Sequence, residues 1–144
     1  MSRMPAVRSV MTPFPYFVAV DDSLLRARAL MVEHGVRHLP VKKDDDLVGV
    51  VTDRDVKRAM DPDLGLPPKE ELFVRDVAVE GAYAVDSSEP LDRVLERMAA
   101  DHIGCALVTL HGRLAGIFTV TDACRAYCAH LRTVFLPPSG DEAA

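Results

Sequence analysis

The sequence is short of the features that mark membrane, secreted or nucleic-acid-binding proteins. Among its 144 residues no apolar run approaches the roughly 20 that a membrane-spanning helix needs. Cysteine is scarce: three residues at irregular spacing argue against a disulfide framework. Positive charge is in deficit, with 17 Lys and Arg against 22 Asp and Glu and a net charge of -5. Neutralising a run of nucleic-acid phosphates needs a basic face, so no nucleic-acid partner is expected. Met1 to Pro5 lacks the apolar core of a signal peptide. Together with reduced thiols, this predicts a cytoplasmic location. Neither a Walker-type phosphate loop, nor a Gly-x-Ser-x-Gly elbow, nor a paired-carboxylate constellation occurs, so no enzymatic activity is expected.

What is present is a duplication. Apolar residues make up 49% and charged residues 27%, ordinary values for a folded domain. Within that composition, Leu47-Val-Gly49-Val-Val-Thr52-Asp53-Arg54-Asp55 reads as a buried strand running through a polar turn into a helix. Leu114-Ala-Gly116-Ile-Phe-Thr119-Val-Thr-Asp122 repeats it. Gly-x-x-Thr-x-x-Asp recurs at an offset of 67, and Val7-Arg-Ser-Val10 returns as Val74-Arg-Asp-Val77 at the same offset.

Local signals place the elements between these landmarks. Pro13 and Pro15 forbid a continuous helix near the start. Phe17–Val20 predicts a short strand, and Ser23 or Asp22 caps a helix with Leu24, Ala27, Met31 and His34 on one face, closed by Gly35. Val36–Val41 predicts a second strand, with Pro40 suggesting an edge or a strand end. Lys42–Asp46 is a solvated turn before the strand Leu47–Val51. Thr52 caps a helix carrying Val56, Ala59 and Met60. In the second half, Tyr83–Val85, Cys105–Leu110 and Leu114–Phe118 predict strands. Leu91, Val94, Leu95, Met98 and His102 form a helical stripe, and a last helix spans about Thr121–Leu131. The domain organisation is a first repeat over 1–60, a Pro-rich linker over 61–73, a second repeat over 74–131, and a tail over 132–144 expected to be disordered. A half of about 60 residues buries little surface alone, so the halves should pack as one unit. The fold class is α/β (α+β), each half strand-helix-strand-strand-helix.

Four motifs in order, then repeated, resemble a cystathionine-β-synthase-type (CBS) domain: Val10-Met-Thr-Pro13, Ser23-Leu-x-x-Ala27 with Met31, Arg37-His-Leu-Pro-Val41, and Gly49-Val-Val-Thr52-x-x-Asp55. The chain is similar to a stand-alone CBS pair over roughly residues 7 to 130. The resemblance implies tandem β-α-β-β-α repeats related by a pseudo-two-fold axis. It also implies a regulatory, energy-sensing module that requires no cofactor and takes an adenosine-containing ligand (AMP, ADP, ATP or S-adenosylmethionine) in a cleft between repeats. Asp55 and Asp122 would then accept hydrogen bonds from ribose hydroxyls, with Thr52 and Thr119 near ribose or phosphate. Thr12 and Arg37-His38 would line the first cleft, and the backbone at Phe17 and Val18 would read the adenine edge. The implied partners are a second copy, forming a homodimer through the helices after Thr52 and Thr119, and a regulated protein.

The chemistry is consistent with those roles. A carboxylate facing two adjacent hydroxyls makes an oriented, charge-assisted contact. A helix start offers N–H groups to phosphate, and Arg54 would add a bidentate contact. Taken alone, however, Thr-x-x-Asp is equally a helix capping box. The second copy also departs from the pattern. Ala78-Val79 replaces Met11-Thr12, Cys105-Ala106 stands near the place of Val36-Arg37, and Val120-Thr121 replaces Asp53-Arg54. One competent cleft around the first copy is therefore expected. Phe17, where the family often has a small Thr, would narrow that pocket or stack on a base. His34 and His102, at the ends of equivalent helices, would meet their negative dipole ends. Two rival readings are a ligand-free dimerisation scaffold and a metal or redox sensor using Cys105, Cys124, Cys128 and the histidines; their spacings match no closed zinc site.

Overall fold

The computed structural model describes residues 2–64 and 72–137. Elements run in the order β1 (Thr12–Pro13), β2 (Val18–Ala19), α1 (Leu24–His34), β3 (His38–Lys43), β4 (Asp46–Thr52), α2 (Asp53–Ala59), α3 (Val74–Val77), β5 (Val79–Glu80), β6 (Ala84–Asp86), α4 (Leu91–Ala100), β7 (Cys105–Leu110), β8 (Arg113–Thr119) and α5 (Val120–Val134). The α/β repeat architecture expected from the sequence is present. Residues 65–71 of the linker and 138–144 of the tail lie outside the described residues. Residues 132–134, expected to belong to that tail, instead complete α5.

Local chemistry explains the helix boundaries. The Ser23 side chain accepts a hydrogen bond from Arg26 N at 3.2 Å and starts α1. Gly35 ends it in the left-handed region at φ 64°. Its counterpart after α4 is His102, held at φ 54°. His102 thus lies beyond the helix end, in the place of a capping glycine, and is not matched to His34. His34 stacks on Tyr16 with ring centroids 3.6 Å apart.

Two four-stranded sheets form, in the orders β2-β3-β4-β5 and β1-β8-β7-β6. Each sheet contains one strand from the opposite repeat. β1 pairs antiparallel with β8 (Thr12 with Ile117, Pro13 with Gly116), and β5 pairs with β4 (Val79 with Val50, Glu80 with Gly49). The segments before these strands cross over with them. Val7 N donates to Glu89 O at 2.9 Å, and Val74 N donates to Asp22 O at 2.9 Å. The Val7 side chain is buried in the second-half core with Leu91, Val94, Met98 and Phe118. Val74 is buried in the first-half core with Leu24, Ala27, Leu39 and Val56. Each such anchor contributes about 1.5–3 kcal/mol. The sequence repeats are therefore not the packing units, because residues 7–13 and 74–80 are exchanged between the halves.

Two details in the sheets follow from this arrangement. Pro40 lies in an interior strand, not at an edge. It is tolerated because β2 pairs only with Val41 and Lys42, so Pro40 falls outside that ladder. Val50, Cys105, Leu107 and Ile117 are buried together and join the two sheets. Burial pushes the Cys105 thiol up to about 11, since a thiolate there would be poorly solvated.

Candidate functional site

The strand-to-helix turns are built identically in both halves. Thr52 Oγ1 accepts from Asp55 N at 3.1 Å, while Asp55 Oδ2 accepts from Thr52 N at 2.9 Å. Thr119 and Asp122 repeat this reciprocal cap at 3.2 and 2.9 Å. The cap absorbs most of the N–H groups that the sequence offered to a phosphate. Asp53 N also donates to Arg37 O at 2.8 Å, and Val120 N to Gly104 O at 3.2 Å. An anion at these turns must be held mainly by side chains.

The two aspartates differ in what faces them. Asp122 is buried, and its second oxygen accepts from Thr12 Oγ1 at 3.0 Å, with Arg125 3.8 Å away. Asp55 is half-buried. Among the described residues its carboxylate takes only the Thr52 hydrogen bond. The difference originates in the exchanged strands. By the 67-residue offset, Thr12 in β1 corresponds to Val79 in β5, and Val79 has no hydroxyl to give Asp55. Thr12 therefore lies against the second turn, whereas the sequence reading grouped it with Arg37 and His38.

A cleft of about 510 Å³ opens where the halves meet. Its first-half wall carries Arg37, His38, Thr52, Asp53, Arg54 and Lys57, and its second-half wall carries His102 and Gly104. His38 is held neutral to a lower pH than usual, chiefly by burial, with the Arg37 charge acting in the same sense and Asp55 opposing. Gly104 stands against it: a Cβ there would sit 3.0 Å from His38 Nε2. Lys57 is paired with Asp53 at 3.0 Å. Among the described residues, neither Arg37 nor Arg54 has a carboxylate within salt-bridge distance. Strand pairing makes Cys105 the counterpart of His38 and Gly104 that of Arg37, so the second copy's residues are two steps out of the register read from the sequence.

The remaining expected residues are dispersed. The Val18 side chain is in the core, and Phe17 is half-exposed with Lys42 Nζ 4.1 Å from its ring centre. His102 and Gly104 were not foreseen as cleft residues. The signal for His102 was its position one offset from Gly35. Cys124 and Cys128 are exposed on α5, and no group of three metal-ligating side chains occurs among the described residues. No helix there is long and apolar enough to cross a membrane.

The CBS domain family model matches residues 7–62 and 74–129. The L-aspartate semialdehyde sulfurtransferase of Methanocaldococcus jannaschii is 23% identical over 88% of the chain, and the inosine-5'-monophosphate dehydrogenase of Thermoplasma acidophilum is 31% identical over 74%. The chain spans only 24% and 20% of the lengths of those two proteins. Among solved structures, CBSX2 in complex with AMP is 27% identical, with a TM-score of 0.75 covering 87% of this chain and 97% of that one. With both matched segments forming the two exchanged halves of one fold, the chain belongs to the CBS domain family, as a tandem pair.

Proposed function

We propose that the protein is a regulatory module that binds an adenosine-containing ligand in the cleft beside Asp55. The observation that carries this reading is a cleft lined by Thr52, Arg54, Arg37 and His38, next to Asp55, which does not itself line it but caps the same turn and has a second carboxylate oxygen with no partner among the described residues. That oxygen is suited to a sugar hydroxyl, and the guanidiniums are suited to a phosphate. AMP in the similar CBSX2 structure supports the ligand class. The protein acts by ligand-dependent change of the surface offered to a partner, not by catalysis. It works in the cytoplasm.

Homodimerisation belongs to the same proposal. On α5, Cys124, Tyr127 and Cys128 are exposed with Leu131 half-buried beside them. An apolar groove of about 470 Å³ runs between the N-terminal segment, α4 and α5. A second copy would cover this face, and Tyr127→Glu should convert a dimer to a monomer in size-exclusion light scattering.

Thermal shift against AMP, ADP, ATP and S-adenosylmethionine tests the ligand reading. Ligand at 100 times Kd should stabilise the fold by about 2.7 kcal/mol. No response to any of the four would leave the scaffold reading in its place.

A further inference from the structure

We propose that this cleft selects its ligand by phosphate charge, favouring a nucleoside di- or triphosphate over a monophosphate or a sulfonium nucleoside, and that His102 of the second repeat completes the anion-holding set. The inference rests on the ligand reading above and adds to it the charge class of the ligand and a binding residue contributed across the repeats.

Arg37, Arg54 and Lys57 bring three positive charges to one wall. Asp53 offsets that of Lys57, leaving two guanidiniums that line the cleft with no carboxylate within salt-bridge distance among the described residues. The fold does not impose this charge: the equivalent second-half positions are Gly104, Thr121 and Cys124, all uncharged. Because Thr52 N, Asp53 N and Asp55 N are already engaged at the first turn, side chains must supply most of the attraction. A monophosphate can accept from both guanidiniums, but each added phosphate brings further oxygens and negative charge to the same two cations and so strengthens the attraction. A sulfonium cation in the same cleft is repelled.

His102 closes the set from the opposite wall. Its backbone is at φ 54°, a region unfavourable for a side-chain-bearing residue, whereas the first repeat uses Gly35 at φ 64° in the matching place. A glycine would satisfy the fold better, yet the chain carries an imidazole that lines the cleft. Gly104, two residues on, has no side chain and leaves His38 Nε2 open on that side. Two imidazoles and two guanidiniums thereby surround one volume.

Isothermal titration of the full chain with ATP, ADP, AMP, S-adenosylmethionine and inorganic tripolyphosphate, at low and high salt, tests this. Affinity should rise about 3- to 10-fold per added phosphate, with the preference shrinking as salt screens the charges. His102→Gly should raise the melting temperature of the ligand-free protein while weakening ATP more than AMP. A purely structural role for His102 would give the first effect without the second. Arg37→Ala with Arg54→Ala should abolish the ATP-over-AMP preference. AMP or S-adenosylmethionine binding as tightly as ATP would overturn the charge selection and leave the adenosine reading standing. Tripolyphosphate binding with no nucleotide response would overturn the adenosine reading and leave the anion site, and silence from all five ligands would overturn both.

Discussion

Replacing Gly49 with alanine should separate β5 from β4. A Cβ at this position falls 2.3 Å from the Val79 carbonyl oxygen and 3.1 Å from its carbonyl carbon. Non-bonded carbon contacts sit near 3.5 Å, so something must move by roughly 1 Å. The obstacle is backbone and cannot rotate aside. Gly49 has no positive φ, so the effect is one of space, not of conformational freedom. β5 is held to β4 at only two register points, Gly49 with Glu80 and Val50 with Val79, so displacement strains the whole pairing. Backbone hydrogen bonds at about 1 kcal/mol each and overpacking at about 1–3 kcal/mol together give a loss of about 2–4 kcal/mol. At about 2–4 °C per kcal/mol for a chain of this size, the melting temperature should fall by about 5–15 °C. Gly104→Ala is the control, since its Cβ would approach only the His38 imidazole, at 3.0 Å. Circular-dichroism melts of both variants decide the matter. A Gly49→Ala protein that melts with wild type, or above Gly104→Ala, would refute the close approach of the exchanged strand.

The two aspartates should separate binding from stability. Asp55→Asn is expected to weaken nucleotide binding by about 1.5–3 kcal/mol in calorimetry, whereas Asp122→Asn should cost more stability than affinity, because Asp122 is buried and fully engaged. Equal effects on affinity would contradict the asymmetry. His38 predicts a pH dependence of stability. Its folded pKa lies below the ordinary 6.5, so the unfolded chain binds the extra proton as pH falls through that value. Stability should therefore be full above about pH 6.5, decline as pH drops below it, and level off below the folded pKa. Denaturant melts of His38→Gln should lack that segment of the profile.

Much of the fold could be read locally. The capping residues Ser23 and Thr52 and the stripe from Leu91 to Met98 carry their own periodic or chemical signals and lie where expected, while α5 starts at Val120 on the Thr119 cap, one residue before the expected Thr121. The exchange of residues 7–13 and 74–80 could not be read in this way. A two-residue strand has no periodicity, and two copies of one motif fit either half equally well. Gly49 and Gly116 held a clue, since glycine inside an apolar strand marks a close backbone approach, but not the identity of what approaches. The cleft was legible in part for the same reason. Thr52, Arg54 and Asp55 are neighbours in sequence. His102 joins them only through the packing of the halves, and Thr12 is carried away by the crossover.

That crossover predicts a reciprocal pair of variants. Thr12 reaches Asp122 because β1 lies on β8, and the same register places Val79 over the Asp55 turn. Val79→Thr should supply the missing hydroxyl, since position 79 is exposed on β5 and threonine suits a strand as well as valine does. A new hydrogen bond to the Asp55 carboxylate would stabilise the protein by about 0.5–1.5 kcal/mol and occupy the oxygen intended for ligand. Thr12→Val should do the reverse at Asp122, lowering stability by a similar amount and opening its Oδ1. The expected result is a higher melting temperature with weaker nucleotide binding for Val79→Thr, and a lower melting temperature with unchanged binding at the first cleft for Thr12→Val. If Val79→Thr leaves affinity untouched, the carboxylate of Asp55 does not hold the ligand, whatever else the cleft binds.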